Sequence, residues 1–313
     1  MGQARTTTGG MLNAHRHAVL DAIVRSRTPG WSFTGHLLGI SYDRVSETNC
    51  MLRCVAMDRV YDDNGRIDFG AVAVLGDLAL GICCREAADA AVRMATVSMT
   101  MTMHGTMGEG DLTARGQLCS YQPRSRVSTA LARIFCGKAL LCTVNAVFLA
   151  LPAPDHLVTT EPLFRGESRE DTDDELTVES LSEQEAKIYA RVDSGGVHAG
   201  DSFLRRFWGF DIRKRHSGAS GRLEVGPHTG NRVGHVQGGI LFAFASEVAK
   251  KSSGSGFELA SMHATYHRPG EGGVLEASAL RAHQGRTTEV VNTVVTDHGG
   301  STVLFTQSTF NRT

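Results

Sequence analysis

The chain has 313 residues, of which 41% are hydrophobic, enough for two domains of about 150 residues each. Its 32 Lys+Arg against 33 Asp+Glu leave a formal net charge of -1, which excludes the one-signed field of a nucleic-acid or anionic-membrane binder. No apolar run reaches the roughly 18 residues of a membrane-spanning helix, and the opening M-G-Q-A-R-T-T-T-G-G has no secretory-leader pattern, so a cytoplasmic protein is expected.

Residues 11 to 27 carry Leu12, Val19, Leu20, Ile23 and Val24 between polar residues, which predicts a short amphipathic helix ended by Pro29-Gly30. Two strands are predicted around 39–42 and 51–55, followed by a turn at Asp62-Asp63-Asn64-Gly65. Residues 70 to 92 read as a wholly buried helix, because the polar stripe is thin. Extended segments follow at 96–104, 111–122, 126–135 and 139–149, with the clearest alternation at 98–104. Met94, Met99, Met101, Met103 and Met107 form a stripe suited to strand core or to a pliable pocket wall.

Pro152-Ala-Pro154 closes this unit. Between Asp155 and Lys187 stand eleven acidic and three basic residues, the composition of a solvated linker or excursion, with a short helix predicted near 179–190. The second unit starts near Phe203. Strands are predicted at 207–212 and 221–225, a helix at 239–251, then strands at 258–267, 274–283, 287–296 and 301–310, with a hairpin turn at Asp297-His-Gly-Gly300. Domain limits of 30–153 and 203–313, joined by 154–202, follow.

The seven cysteines, Cys50, Cys54, Cys83, Cys84, Cys119, Cys136 and Cys142, all lie in the first half. The odd number and one-sided placement argue against a disulfide framework and predict buried thiols in a reducing compartment. No H-E-x-x-H, paired C-x-x-C, Walker loop or G-x-S-x-G occurs, and neither a metal nor a cofactor is expected.

The two units repeat one another. Residues 65–77, G-R-I-D-F-G-A-V-A-V-L-G-D, match 234–246, G-H-V-Q-G-G-I-L-F-A-F-A-S, and S-M-T-M-T-M-H104 matches S-M-H-A-T-Y-H267. An internal duplication implies two copies of one architecture. The quoted segments, with Tyr266-His-Arg-Pro269, Gly285-Arg286 and Asp297-His-Gly-Gly300, resemble the hotdog-fold acyl-CoA thioesterases, and most of all double-hotdog members. The resemblance covers about 260 residues, roughly 37–150 and 203–312.

The resemblance implies an α+β fold: two tandem hotdog domains, each an antiparallel sheet wrapped around a central helix. It implies an active site between two hotdog units, one supplying a helix start and the other an acid. The family's H-G-G falls on Gln237, Gly238 and Gly239 in the second copy, and on Asp68, Phe69 and Gly70 in the first. Its acid falls on Asp77 in the first copy and on Ser246 in the second, with Glu247 one residue out of register. Neither copy keeps the full signature, so Gly238 and Gly239 are expected to face Asp77, with Gly70 facing Ser246 or Glu247 across a second, degenerate site.

Elementary chemistry supports that arrangement. Free amides at a helix start stabilise an oxyanion, glycine admits a substrate close to backbone, and a carboxylate serves as general base or nucleophile. A charge at Asp77 within a small, apolar helical run also needs a reason, catalysis or a wet helix face. Arg286, with Arg124 and Arg126 in the corresponding turn of the first copy, is the expected contact for the phosphates of coenzyme A. The implied activity is hydrolysis of an acyl-CoA thioester to free acid and CoA. A non-catalytic acyl-thioester-binding or assembly module and an acyl-thioester hydratase or dehydratase remain open. Acyl-CoA is the expected partner, and further homo-oligomerisation fits the fold.

Overall fold

A computed structural model describes residues 8–27, 33–88, 92–153, 178–194 and 202–313. The first half runs α1 (Thr8–Ser26), α2 (Phe33–Leu37), β1 (Ile40–Val45), β2 (Asn49–Cys54), α3 (Phe69–Glu86), β3 (Val92–Met103), β4 (Leu112–Gln122), β5 (Val127–Cys136) and β6 (Ala139–Pro152). After α4 (Glu183–Ser194), the second half runs α5 (Phe203–Trp208), β7 (Asp211–Arg215), β8 (Gly218–Glu224), α6 (Gly238–Ser252), β9 (Phe257–Tyr266), β10 (Val274–Gln284), β11 (Thr288–Thr296) and β12 (Thr302–Arg312). Most of the acidic linker, 154–177 and 195–201, lies outside the described residues.

All twelve strands form one antiparallel sheet in the order β1-β2-β4-β5-β6-β3-β9-β12-β11-β10-β8-β7. Read outward from its centre, the order of one half repeats that of the other. The two hotdog sheets are therefore continuous, joined where β3 pairs with β9. Thr100 and His263, equivalent positions of the two copies, stand directly opposite each other, with Thr100 Oγ1 2.8 Å from His263 Nδ1. The pseudo-twofold axis passes between them.

Strand alternation explains the sheet's inner face. In β11 every second residue is buried, including Val291 and Val295, so the sheet has one wet and one dry side. Each half curls around its long helix. α3 is buried almost all round, from Gly70 to Cys84, as expected of a helix lacking a polar face. It packs on β2, β3, β4, β5 and β6, while α6 packs on β7 to β12 and on α3 itself. Met99 and Met101 are core residues of the central strand pair, whereas Met103 and Met107 lie partly exposed at its end.

The predicted strand at 207–212 is corrected. Phe207 and Trp208 belong to α5, capped by the Ser202 hydroxyl, and the strand begins at Asp211. Gly209 at φ 76° ends the helix in the left-handed region that glycine favours. α2 and Gly39 make the same helix–turn–strand entry in the first copy. The aromatic residues of this segment pack inward from a short helix: Phe207 stacks on Phe203 and Phe33. The cysteine expectation is corrected at Cys119, which is exposed, and at Cys136, which is partly so; the other five are buried, and all seven are free thiols.

Candidate active site

Asp68 and Gln237 cap α3 and α6 at equivalent places. Asp68 accepts the Gly70 amide at 2.7 Å, and Gln237 Oε1 accepts the Ile240 amide at 2.9 Å, each satisfying a helix-start donor. The two helices then cross so that the start of each meets the body of the other. The start of α6 meets α3 at Asp77. The start of α3 meets α6 near Phe242, where Phe69 and Phe242 stack with centroids 6.2 Å apart.

At the first meeting, Gln237 Nε2 donates to Asp77 Oδ2 at 2.7 Å, and the Thr96 hydroxyl donates to Asp77 Oδ1 at 3.2 Å. Gln237 thus points its carbonyl into its own helix start and its amide group at the carboxylate of the other copy. The Tyr266 hydroxyl donates to the Gly238 carbonyl at 2.9 Å. A Cβ on Gly238 would stand 3.0 Å from both Asp77 oxygens, and one on Gly239 would stand 2.6 Å from the Val74 Cα. Two glycines in succession let the helix start come this close.

Asp77 is only 8% exposed and Gln237 3%. Burial pushes the Asp77 carboxyl up to about 6, opposed by hydrogen bonds from Thr96 and the Gly239 amide. Burial, and then the Asp77 charge, hold the Tyr266 phenol well above its ordinary value. A buried carboxylate titrating close to neutrality, beside a helix start and between neutral donors, has the properties of a general base.

Asp77, Gln237, Gly238 and Gly239 therefore come together. Ser246 and Glu247 do not join them: they line a separate cavity of about 550 Å³ at the second meeting, with Asp68, Phe69 and Gly70. Glu247 lies 3.7 Å from Arg205 in an ion pair. Arg124 and Arg126 are exposed in the β4–β5 turn, and Arg286 in the β10–β11 turn. Register places the β4–β5 turn at the Thr96 end of the sheet, since Thr96 and Ser128 both pair with Phe148. Arg286 sits at the other end, near Leu259, since Glu289 and Leu259 both pair with Phe310. The three arginines are thus not one set. His104 and His267 bond their strand neighbours Thr143 and Thr265.

Thr96 and Tyr266 were not found from the sequence. Thr96 carries no motif, but strand alternation through 96–104 could have placed it beside the helix. Tyr266 lay within a quoted motif and was not given a role. Among the described residues no cluster of His, Cys, Asp and Glu is suited to a metal ion, and no helix is long and apolar enough to cross a membrane.

Comparison with known proteins extends the picture. A family model described as the acyl-CoA thioesterase N-terminal domain matches residues 227–311, a segment that contains Gln237, Gly238, Gly239 and Tyr266 but not Asp77. No curated protein matches the chain. The tesB protein of Mycobacterium avium subs paratuberculosis superposes with a TM-score of 0.51 at 11% identity, over 87% of this chain and 96% of that one. A hot dog fold protein of unknown function from Alicyclobacillus acidocaldarius gives 0.53 at 10% identity, over 88% and 95%. A Bacillus halodurans protein with CoA gives 0.40 at 22% identity, over 44% of this chain and 98% of that one. The chain is a tandem hotdog protein by fold, and its second half resembles a thioesterase domain.

Proposed function

We propose that this chain hydrolyses an acyl-CoA thioester, with Asp77 as general base and the start of α6 as oxyanion hole. The observation that carries this reading is the buried cluster in which Asp77 of one copy accepts hydrogen bonds from Thr96 and from Gln237 of the other. In the proposed reaction, water held by Asp77 attacks the thioester carbon while the carboxylate takes its proton. The carbonyl oxygen becomes an oxyanion against the amide of Gly238 at the start of α6, where the helix dipole also favours negative charge. The tetrahedral species expels the CoA thiolate, the proton returns to sulfur, and free acid and CoA leave. Thr96 and Gln237 act as positioning residues that hold the carboxylate in one orientation.

A second reading takes Glu247 as the base, because it faces the open cavity and the start of α3. Its ion pair with Arg205 stabilises the charge but turns it toward a cation. Steady-state release of free thiol from a panel of acyl-CoAs decides between the two. Under the leading reading Asp77→Asn loses about 10²- to 10⁴-fold in rate, while Glu247→Gln and Ser246→Ala stay near the parent. The opposite pattern assigns the reaction to the Glu247 cavity. Binding without turnover on any acyl-CoA makes the chain an acyl-thioester-binding module.

A further inference from the structure

Cys50 on β2 and Cys83 on α3 meet in the interior of the first copy. Their Sγ atoms lie 3.4 Å apart, and the Cys50 thiol in turn donates to the Ala79 carbonyl at 3.3 Å. Cys83 is fully buried and Cys50 is 5% exposed. Room for the two sulfurs comes from Gly116, which pairs with Cys50 across the β2–β4 ladder. A Cβ on Gly116 would stand 2.7 Å from the Cys50 sulfur and 2.9 Å from the Cys83 sulfur. The second copy makes the same junction without sulfur. Its equivalent positions are Ala219 on β8, Ser252 on α6 and Ala279 on β10, and Ala219 pairs with Ala279 as Cys50 pairs with Gly116. The fold therefore does not require a thiol pair, and the glycine that admits the pair stands in the same copy.

We infer that Cys50 and Cys83 are a site of reversible oxidation by a hydroperoxide, closing to a disulfide that ties α3 to β2. The Cys50 thiolate attacks one oxygen of the hydroperoxide, the O–O bond breaks, and Cys50 becomes a sulfenic acid while the leaving oxygen takes a proton. With hydrogen peroxide that product is water. The Cys83 sulfur then attacks the Cys50 sulfur, its proton goes to the departing hydroxide, and a second water leaves. Two thiols are oxidised and one peroxide is reduced. The roles follow from the surroundings. The Cys83 thiol and the Gly116 amide bond to the Cys50 sulfur and hold Cys50 below its ordinary range against burial. Burial pushes Cys84 up to about 11 and Cys54 and Cys142 up to about 12. Asp77 lies on the same helix six residues before Cys83, so the bond fixes the helix that carries the proposed base. The inference rests on the thiol pair and does not require hydrolysis.

A Cys119→Ser, Cys136→Ser background removes the two thiols that solvent reaches. The full chain in that background is treated with a small excess of hydrogen peroxide, alkylated while denatured, and digested with trypsin. Cleavage after Arg44 and Arg53 separates Cys50 from Cys54, and cleavage after Arg66 and Arg85 gives one peptide holding Cys83 and Cys84. The expected product is these two peptides joined, with the loss of two hydrogens, and released by dithiothreitol. Cys84→Ser should keep the link, while Cys50→Ala and Cys83→Ser should each abolish it. The last two place at this junction the residues that the second copy carries there, Ala219 and Ser252. The oxidised protein should melt at least about 3 °C above the reduced one, since the bond joins positions 33 residues apart.

The absence of a linked peptide, with Cys50 recovered as free thiol or as sulfinic acid, overturns the site. A link that survives Cys83→Ser and is lost in Cys84→Ser also overturns it, because Cys84 is then the partner. A linked protein that melts no higher than the reduced one overturns the tie between α3 and β2. A chain that forms the link but shows no thioesterase activity removes the hydrolysis proposal and leaves the oxidation site standing.

Discussion

Asp77→Asn separates the charge of this residue from its shape, and the structure gives the expected size of the effect. Asn can turn its Oδ1 toward Gln237 Nε2 and its amide toward the Thr96 hydroxyl, which then accepts. The bonds to Gln237 and Thr96 are kept while the ionisation is lost. Burial raises the folded carboxyl from 3.8 to about 6. The folded state holds the proton more tightly, so Asp77 costs nothing below about pH 4 and destabilises progressively as pH rises through 6. The full cost, a little over two pH units, is about 3 kcal/mol at pH 8 and about 1.6 kcal/mol at pH 5.

Asp77→Asn should therefore be more stable than the parent, by an amount that grows about 1.4 kcal/mol from pH 5 to pH 8. Urea unfolding at the two pH values measures this growth, with m-values checked for two-state behaviour. The same substitution should abolish most thioester hydrolysis. A stabilised but inactive variant is the signature of a strained functional group. A stability difference that is flat with pH, or a variant less stable than the parent at pH 8, refutes the account of Asp77 as a desolvated carboxylate.

Four perturbations test other parts of the structure. Thr96→Val removes a hydrogen bond that favours ionised Asp77, so the rising limb of the pH–rate profile should move above about 6; an unmoved limb separates Thr96 from the base. Gly239→Ala drives a methyl into the Val74 backbone and should cost about 1–3 kcal/mol by overpacking. Gly238→Ala meets only the Asp77 side chain, so it should lower turnover more than stability; denaturant melts alongside kinetics distinguish the two. Burial pushes His15 and His228 down to about 4, so each keeps stability above its unfolded value of 6.5 and loses it as pH falls toward 4. His15→Leu and His228→Leu should each flatten that acid loss by up to about 3 kcal/mol, read from melts across the window.

The duplication, the helix positions and most strands were legible in the sequence because each rests on local pattern. The run 70–84 is apolar apart from Asp77, which marks it as a buried helix. The pairing of Asp77 with the start of α6 was legible for a different reason: its two halves survive in opposite copies. The short helices α2 and α5 were not legible. Phe207-Trp208-Gly-Phe210 has the β-propensity of a strand, and only packing against Phe33, Phe203 and His228 makes its first residues helical. Thr96 was missed because a hydroxyl on a strand has no spacing signature; its partner is 19 residues away on another element. The ends of the sheet at which the arginines stand were not legible in the sequence. Motif matching placed Arg124, Arg126 and Arg286 in equivalent turns, but a twofold axis sends equivalent turns to opposite ends of the sheet.

That axis also explains why the two sites can differ. Two separate hotdog chains related by a twofold must build two identical sites, since one sequence supplies both. In a fused pair each helix start and each helix body is encoded once, and the copies diverge independently. The differences here are concerted. Asp77, Thr96, Tyr266 and the room at Gly238 are all on one side, while Ser246, Leu259, Met103 and Phe69 are all on the other. A lone loss of Asp would leave the Thr96 hydroxyl and the Gln237 amide group without their shared acceptor, with desolvation unrepaid. Replacing all of them with apolar or small groups makes a stable wall instead. The second site has thus changed at all four matched positions together, which a fused pair permits and a symmetric dimer of one sequence forbids.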